Sequence, residues 1–162
     1  RDRMDTNAVP VVVLLVDDNP ADRELTRRAF SRSELPIDLR MVEDGEDALT
    51  YLRREGPFAE PGAAPRPDVV LLDLNMPRVG GAEVLRAMRA DPKLCTIPVA
   101  VLTSSEEDRD VVESYTQGAN TYLVKPVTAD RFQSALADFE HFWLRNPNMR
   151  RPPVDHPKEP AP

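Results

Sequence analysis

Four strand-like stretches of this chain end in a polar group able to do chemistry. Val11 to Val16 runs into Asp17-Asp18, Val69 to Leu72 into Asp73, Ile97 to Leu102 into Thr103, and Asn120 to Val124 into Lys125. Brought together, these carboxylates repel, which costs stability unless a cation offsets it. A hard divalent ion with oxygen ligands does so, and Mg2+ suits a site that keeps waters and shares a phosphate oxygen. Lys125 supplies a second, fixed positive charge. With the ion it would stabilise the equatorial oxygens of a phosphoryl group in transfer. The Thr103 hydroxyl would hydrogen-bond one such oxygen once the group is attached. Asp73 is then the carboxylate nucleophile that forms an acyl phosphate.

The elements that must position these residues follow from patterning. An unbroken aliphatic run such as Val69 to Leu72 predicts a strand buried on both faces. Met76-Pro77 stops it and opens a loop reaching Gly80-Gly81. Val11 to Val16 predicts a second buried strand. Asn19-Pro20 opens a helix with proline in its first turn. That helix runs to about Ser33, with Ala21, Leu25 and Ala29 on its inner face. Ile37, Leu39 and Met41 alternate, as in a strand near a sheet edge. Asp44-Gly45 turns into a helix with Ala48, Leu49 and Leu52 inward. Gly56 to Pro67, with four prolines, two glycines and three alanines, predicts an exposed loop. It is longer than such connections usually are.

After Asp73, Ala82, Leu85 and Met88 mark the inner face of a helix ending at Asp91-Pro92. An acidic helix follows Thr103, with Val111, Val112, Tyr115 and Ala119 as its stripe and Gly118 in its last turn. The last helix spans about Thr128 to Leu144, where Phe132, Leu136, Phe139 and Trp143 align, widened by Ala135 and Phe142. Five strands alternating with five helices predict a doubly wound α/β fold, a parallel sheet with helices on both faces. Ligands bind at the carboxyl edge of such sheets.

The 162 residues, 41% of them apolar, suffice for one domain and its core. A net charge of −7 argues against nucleic acid as a direct partner, since phosphate backbones need a basic patch. The longest aliphatic run is too short to span a bilayer and no signal peptide precedes it, so a cytoplasmic protein is expected. Lone Cys95 fits a reducing compartment and reads as packing or a solvated thiol. Residues 1–10 read as a flexible lead-in and 146–162 as a disordered Pro-rich tail, leaving 11–145 as the domain.

In this order and at these spacings, the set resembles the receiver domain of two-component response regulators. The match rests on Asp17-Asp18, on Asp73 with Met76-Pro77 and Gly81 behind it, on Thr103, and on Lys125-Pro126. The resemblance implies a flavodoxin-like (βα)5 fold with strand order 2-1-3-4-5. It implies Asp73 as phosphoacceptor, Asp18 and Asp73 as direct Mg2+ ligands, Asp17 as a ligand through water, and Asn75 as one through its main-chain carbonyl. Thr103 and Tyr122 look like the family's switch pair, and Lys125-Pro126 like its cis peptide. The loop from Gly56 to Pro67 and the aromatics from Phe139 to Trp143 resemble single-domain receivers that partner bacterial phytochrome-type histidine kinases. Gly80 departs from the pattern, since an acidic residue is common there.

The function this implies is a stand-alone response regulator. A sensor histidine kinase donates the phosphoryl group to Asp73, and output passes through protein contacts with a downstream partner. A Mg-dependent phosphatase with the same aspartyl-phosphate chemistry is the alternative from the enzymes. It needs a general acid two residues after its nucleophile, and Asn75 stands there instead. A receiver-like adaptor that is never phosphorylated would not need the complete set. Taken singly, Asp17-Asp18-Asn19 also reads as a helix cap, Lys125 as a solvated residue, Thr103-Ser104-Ser105 as a helix start, and Tyr122 as edge packing. Their joint placement is what points to chemistry. The aromatic stripe of the last helix is wider than one helix face needs, which predicts a homodimer through the C-terminal part of the domain.

Overall fold

A strand sends successive side chains to opposite faces, so one built only of aliphatics has to be covered twice. The computed structural model describes residues 10–74, 80–104 and 118–136. At its centre β1 (Val11–Val16) and β3 (Val69–Asp73) are covered in this way. Val13, Leu15, Val69 and Leu71 enter one apolar cluster, and Leu14, Val16, Val70 and Leu72 enter another. All are fully buried, each leucine contributing about 2 kcal/mol of transfer free energy. With β2 (Ile37–Val42), β4 (Val99–Thr103) and β5 (Thr121–Val124) they form one parallel sheet in the order β2-β1-β3-β4-β5. This is the order the resemblance implied, and β2 is the edge strand its alternation predicted.

The chain winds outward from β1 to β2, then the other way from β3 through β4 to β5. A crevice opens above the strand ends at such a reversal. Val16 pairs with Leu72 and Asp73 with Leu102, so Asp17 and Asp73 emerge side by side there.

The described helices are α1 (Pro20–Ser31), α2 (Gly45–Arg53), α3 (Gly81–Ala90) and α4 (Ala129–Leu136). Through Phe30, Phe132, Ala135 and Leu136, α1 and α4 cover the first cluster. Through Ala48, Tyr51, Leu52, Val84, Leu85 and Met88, α2 and α3 cover the second. Val111, Val112 and Tyr115 of the expected acidic helix, the aromatics Phe139, Phe142 and Trp143, and residues 1–9 and 146–162 of the expected extensions lie outside the described residues, while Ala119 packs against the second cluster.

The inner face of α1 differs from the expected one. Thr26 and Phe30 are buried, whereas Leu25 is 52% exposed and Ala21 lies on the surface. The Thr26 hydroxyl donates to the Asp22 carbonyl at 3.0 Å, so it enters the interior already satisfied. Phe30 meets Phe132 with ring centroids 4.6 Å apart. Ala29 packs against the first cluster as expected, but counting only aliphatics misplaced the rest of the stripe, and the buried face carries Asp22, Thr26 and Phe30 four residues apart. In α2 and α3 the expected Ala48, Leu52, Leu85 and Met88 are buried, while Leu49 and Ala82 are only half-buried. Tyr51 and Val84 take the remaining inward positions.

The Pro-rich segment is the loop expected, and most of it is exposed, but parts of it pack inward. A 3-10 turn spans Gly56–Phe58, and the Phe58 ring packs on Tyr51 at a centroid distance of 5.1 Å. Ala64 is 4% exposed. Tyr51 donates its hydroxyl to the Pro65 carbonyl at 2.8 Å, and Arg54 Nε donates to the Ala64 carbonyl at 3.1 Å. Proline-fixed φ angles lower the entropy lost in holding this path.

Candidate functional site

Asp17 follows β1 directly and is 1% exposed. Its amide donates to the Val42 carbonyl at 3.2 Å, and its carbonyl accepts from Arg23 at 2.8 Å. Its Oδ1 accepts the Asn19 amide at 2.9 Å. Asn19 in turn caps α1, its Oδ1 accepting from the amides of Ala21 (2.8 Å) and Asp22 (3.1 Å). The cap and the site are therefore one construction, rather than competing readings of the same residues.

Asp73 ends β3 and is 4% exposed. Asp18 stands at the solvent side. One carboxylate oxygen from each of Asp17, Asp18 and Asp73 lies within 4.8 Å of the others. Three oxygen donors so close, two of them from buried groups, fit a hard divalent cation and would repel without a counter-charge. The sequence placed these three residues together, and so does the structure. Asn75, the fourth expected ligand, lies outside the described residues.

Lys125 enters from β5. Its Nζ lies 3.1 Å from Asp73 Oδ2 and 3.4 Å from Asp17 Oδ2. The Lys125-Pro126 peptide is cis. The Lys125 amide donates to the Thr103 carbonyl at 2.9 Å, joining the residue that brings the ammonium to the one that brings the hydroxyl. Thr103 ends β4 and is 5% exposed. Tyr122 is partly buried against the second cluster, paired in register with Val101. Strand alternation puts it on the same side of the sheet as Thr103.

Burial pushes the Asp17 carboxyl above the ordinary aspartate range. The Asn19 amide and Lys125 pull the other way, while Asp73 and Asp22 add to the rise. Burial alone would favour a neutral Lys125, but the Asp22 hydrogen bond and the charges of Asp73 and Asp17 outweigh it and raise its pKa. The site therefore holds a fixed ammonium against clustered carboxylates.

One member escaped the sequence reading. Asp22 Oδ2 lies 2.9 Å from Lys125 Nζ, closer than either buried carboxylate. Its signal was its spacing of four from Thr26 and eight from Phe30, once the inner face of α1 is drawn correctly. Behind Asp73, Gly81 allows a close approach: a Cβ there would stand 2.6 Å from the Asp73 carbonyl oxygen and 2.8 Å from Leu74 Cα. At Gly80, where the family often has an acid, Glu83 accepts from the Gly80 amide at 3.0 Å and closes the end of α3.

A family model described as the response regulator receiver domain matches residues 13–137. The response regulator Rcp1 of Synechocystis sp. is 36% identical over 140 residues, covering 86% of this chain and 93% of that protein. Among solved structures, the bacteriophytochrome response regulator AtBRR is 43% identical with a TM-score of 0.75, over 83% of this chain and 96% of that one. The phosphorylated cyanobacterial phytochrome response regulator RcpA is 39% identical with a TM-score of 0.65, over 84% of this chain and 95% of that one. The Mn2+-bound form of Rcp1 is 36% identical with a TM-score of 0.64, over 89% of this chain and 100% of that one. The sheet order, the acidic pocket with its lysine, and a family match across most of the chain agree, and the chain belongs to the response regulator receiver domains of two-component signalling.

Proposed function

We propose that this protein is a stand-alone response regulator that takes a phosphoryl group onto Asp73 from the phosphohistidine of a bacteriophytochrome-type sensor kinase. The receiver unit runs from residue 11 to residue 145. An Asp73 carboxylate oxygen attacks phosphorus, and an acyl P–O bond forms as the P–N bond of the donor breaks. The departing electron pair goes to the imidazole nitrogen. The reaction is stoichiometric, one group per Asp73, and it is not turnover of a free substrate. Asp17, Asp18, Asp73 and the main-chain carbonyl of Asn75 would hold Mg2+. When bound, the ion supplies charge neutralisation for phosphoryl oxygens. Lys125 pairs with a phosphoryl oxygen, and the Thr103 hydroxyl donates to another. Thr103 and Tyr122 then form the element that the modification biases, and output goes to a protein partner in the cytoplasm rather than to nucleic acid.

The observation that carries this reading is the Lys125 ammonium 3.1 Å from a buried Asp73, beside an acidic pair. Incubation with Mg2+ and a small acyl phosphate, followed by intact-mass measurement, tests it. Wild type gains one phosphoryl mass, and Asp73→Asn gains none. No added mass on wild type, or equal mass on Asp73→Asn, overturns it.

A further inference from the structure

We propose that Asp22 is a positioning residue for phosphoryl uptake, holding the Lys125 ammonium beside Asp73 from outside the carboxylate triplet. This rests on Asp73 being the acceptor. Among the described residues, Lys125 Nζ has three carboxylate neighbours: Asp22 Oδ2 at 2.9 Å, Asp73 Oδ2 at 3.1 Å and Asp17 Oδ2 at 3.4 Å. Asp17 and Asp73 belong to the carboxylate triplet able to bind a cation; Asp22 does not. Its carboxylate oxygen makes the shortest of the three contacts to the ammonium.

Asp22 is itself held firmly. Its amide donates to Asn19 Oδ1 at 3.1 Å and its carbonyl accepts from Thr26 Oγ1 at 3.0 Å, so the first turn of α1 fixes its backbone. Lys125, by contrast, reaches the site on a flexible four-carbon stem. A lysine with only Asp17 and Asp73 for partners would loosen once a cation neutralised both. Asp22, outside that triplet, still accepts from the ammonium in that state, so the ammonium remains aimed at the oxygens of an incoming phosphoryl group. Preorganised charge of this kind accelerates transfer because nothing has to be ordered at the moment of reaction.

The acting group is the whole arrangement from α1 to β5, so the test separates aim from fold and from metal binding. Wild type, Asp22→Ala and Asp22→Asn are incubated with Mg2+ and a small acyl phosphate, and the rate of mass gain is followed. Mn2+ affinity is measured on each protein by calorimetry. Asp22→Ala should take up phosphoryl about five- to tenfold more slowly. Asp22→Asn, which keeps an acceptor oxygen, should recover part of the rate. Mn2+ affinity should stay within about threefold of wild type in both, as for a residue outside the ligand set. A rate for Asp22→Ala within about twofold of wild type overturns the proposal. So does a fall in Mn2+ affinity that accounts for the slowing, which would make Asp22 part of the metal site. If wild type takes up no group at all, the acceptor assignment fails and this proposal fails with it. Uptake by wild type with an unaffected Asp22→Ala sinks only the role of Asp22.

Discussion

Lys125 is the residue on which the resting site balances, because it is the counter-charge for Asp17, Asp22 and Asp73 at once. Replacing it with alanine leaves Asp17 and Asp73 buried and facing each other without its positive charge. Metal-free Lys125→Ala should lose about 2 kcal/mol of stability by urea unfolding. Millimolar Mg2+ should restore more stability to this variant than it adds to wild type. The raised pKa of Asp17 has its own consequence. Its ionised form is disfavoured in the folded protein, so it weakens metal-free stability at neutral pH. That cost fades as pH falls through its folded pKa toward the unfolded value. In the role proposed for Asp17 at the metal site its carboxylate acts in the ionised form, so protons should compete with Mn2+ at a pH above the ordinary aspartate range. Calorimetric titration from pH 7 downward should show affinity falling earlier than unperturbed carboxylates would give. Gly81 sets a steric limit of the same local kind. Gly81→Ala places a methyl 2.6 Å from the Asp73 carbonyl oxygen, with backbone rather than a flexible side chain in the way. It should cost about 1–3 kcal/mol and slow phosphoryl uptake, measured by melting and by mass gain.

At the scale of elements, the amino end of the sheet is held by a residue with no chemical role. Arg89, in the last turn of α3, donates to the carbonyls of Gly118 (2.8 Å), Cys95 (3.0 Å) and Ile97 (2.8 Å) and to Asn120 Oδ1 (2.8 Å). Asn120 Oδ1 also accepts the Val99 amide at 2.8 Å, at the start of β4. One guanidinium thus fastens α3 to the segments entering β4 and β5. Arg89→Ala should destabilise by about 2–4 kcal/mol, and Arg89→Lys should recover little because an ammonium cannot span the fork. Thermal unfolding of the pair checks this. The sequence showed the strands clearly because uninterrupted aliphatics leave few alternatives. It showed the edge that carries the acidic pocket because charged residues at the ends of such runs are out of place in a core. It hid Arg89 and Asp22, since a charged residue on an amphipathic helix looks like solvated surface until its neighbours are known. It hid the Pro-rich segment's packing for a similar reason: Ala64 and Phe58 bury little area in sequence terms, and their cover comes from Tyr51 on another element.

For the molecule as a whole, the two apolar clusters lie on opposite sides of a sheet whose carboxyl edge carries the acidic pocket. The described helices include none long and apolar enough to cross a membrane. The carboxyl edge gathers negative charge in a chain that already carries −7, so phosphoryl uptake adds to a field that the divalent ion must offset. Uptake from a dianionic donor should therefore fall steeply when Mg2+ is chelated, and rise with moderate ionic strength in its presence, as read by mass gain. The bond from the Lys125 amide to the Thr103 carbonyl has one more implication. It yokes two chain segments like links sharing a pin, so neither can travel alone. A designer wishing to retune the lifetime of the modified aspartate by shifting the threonine backbone will shift the base of the lysine stem as well, and the two adjustments must be planned as a single displacement.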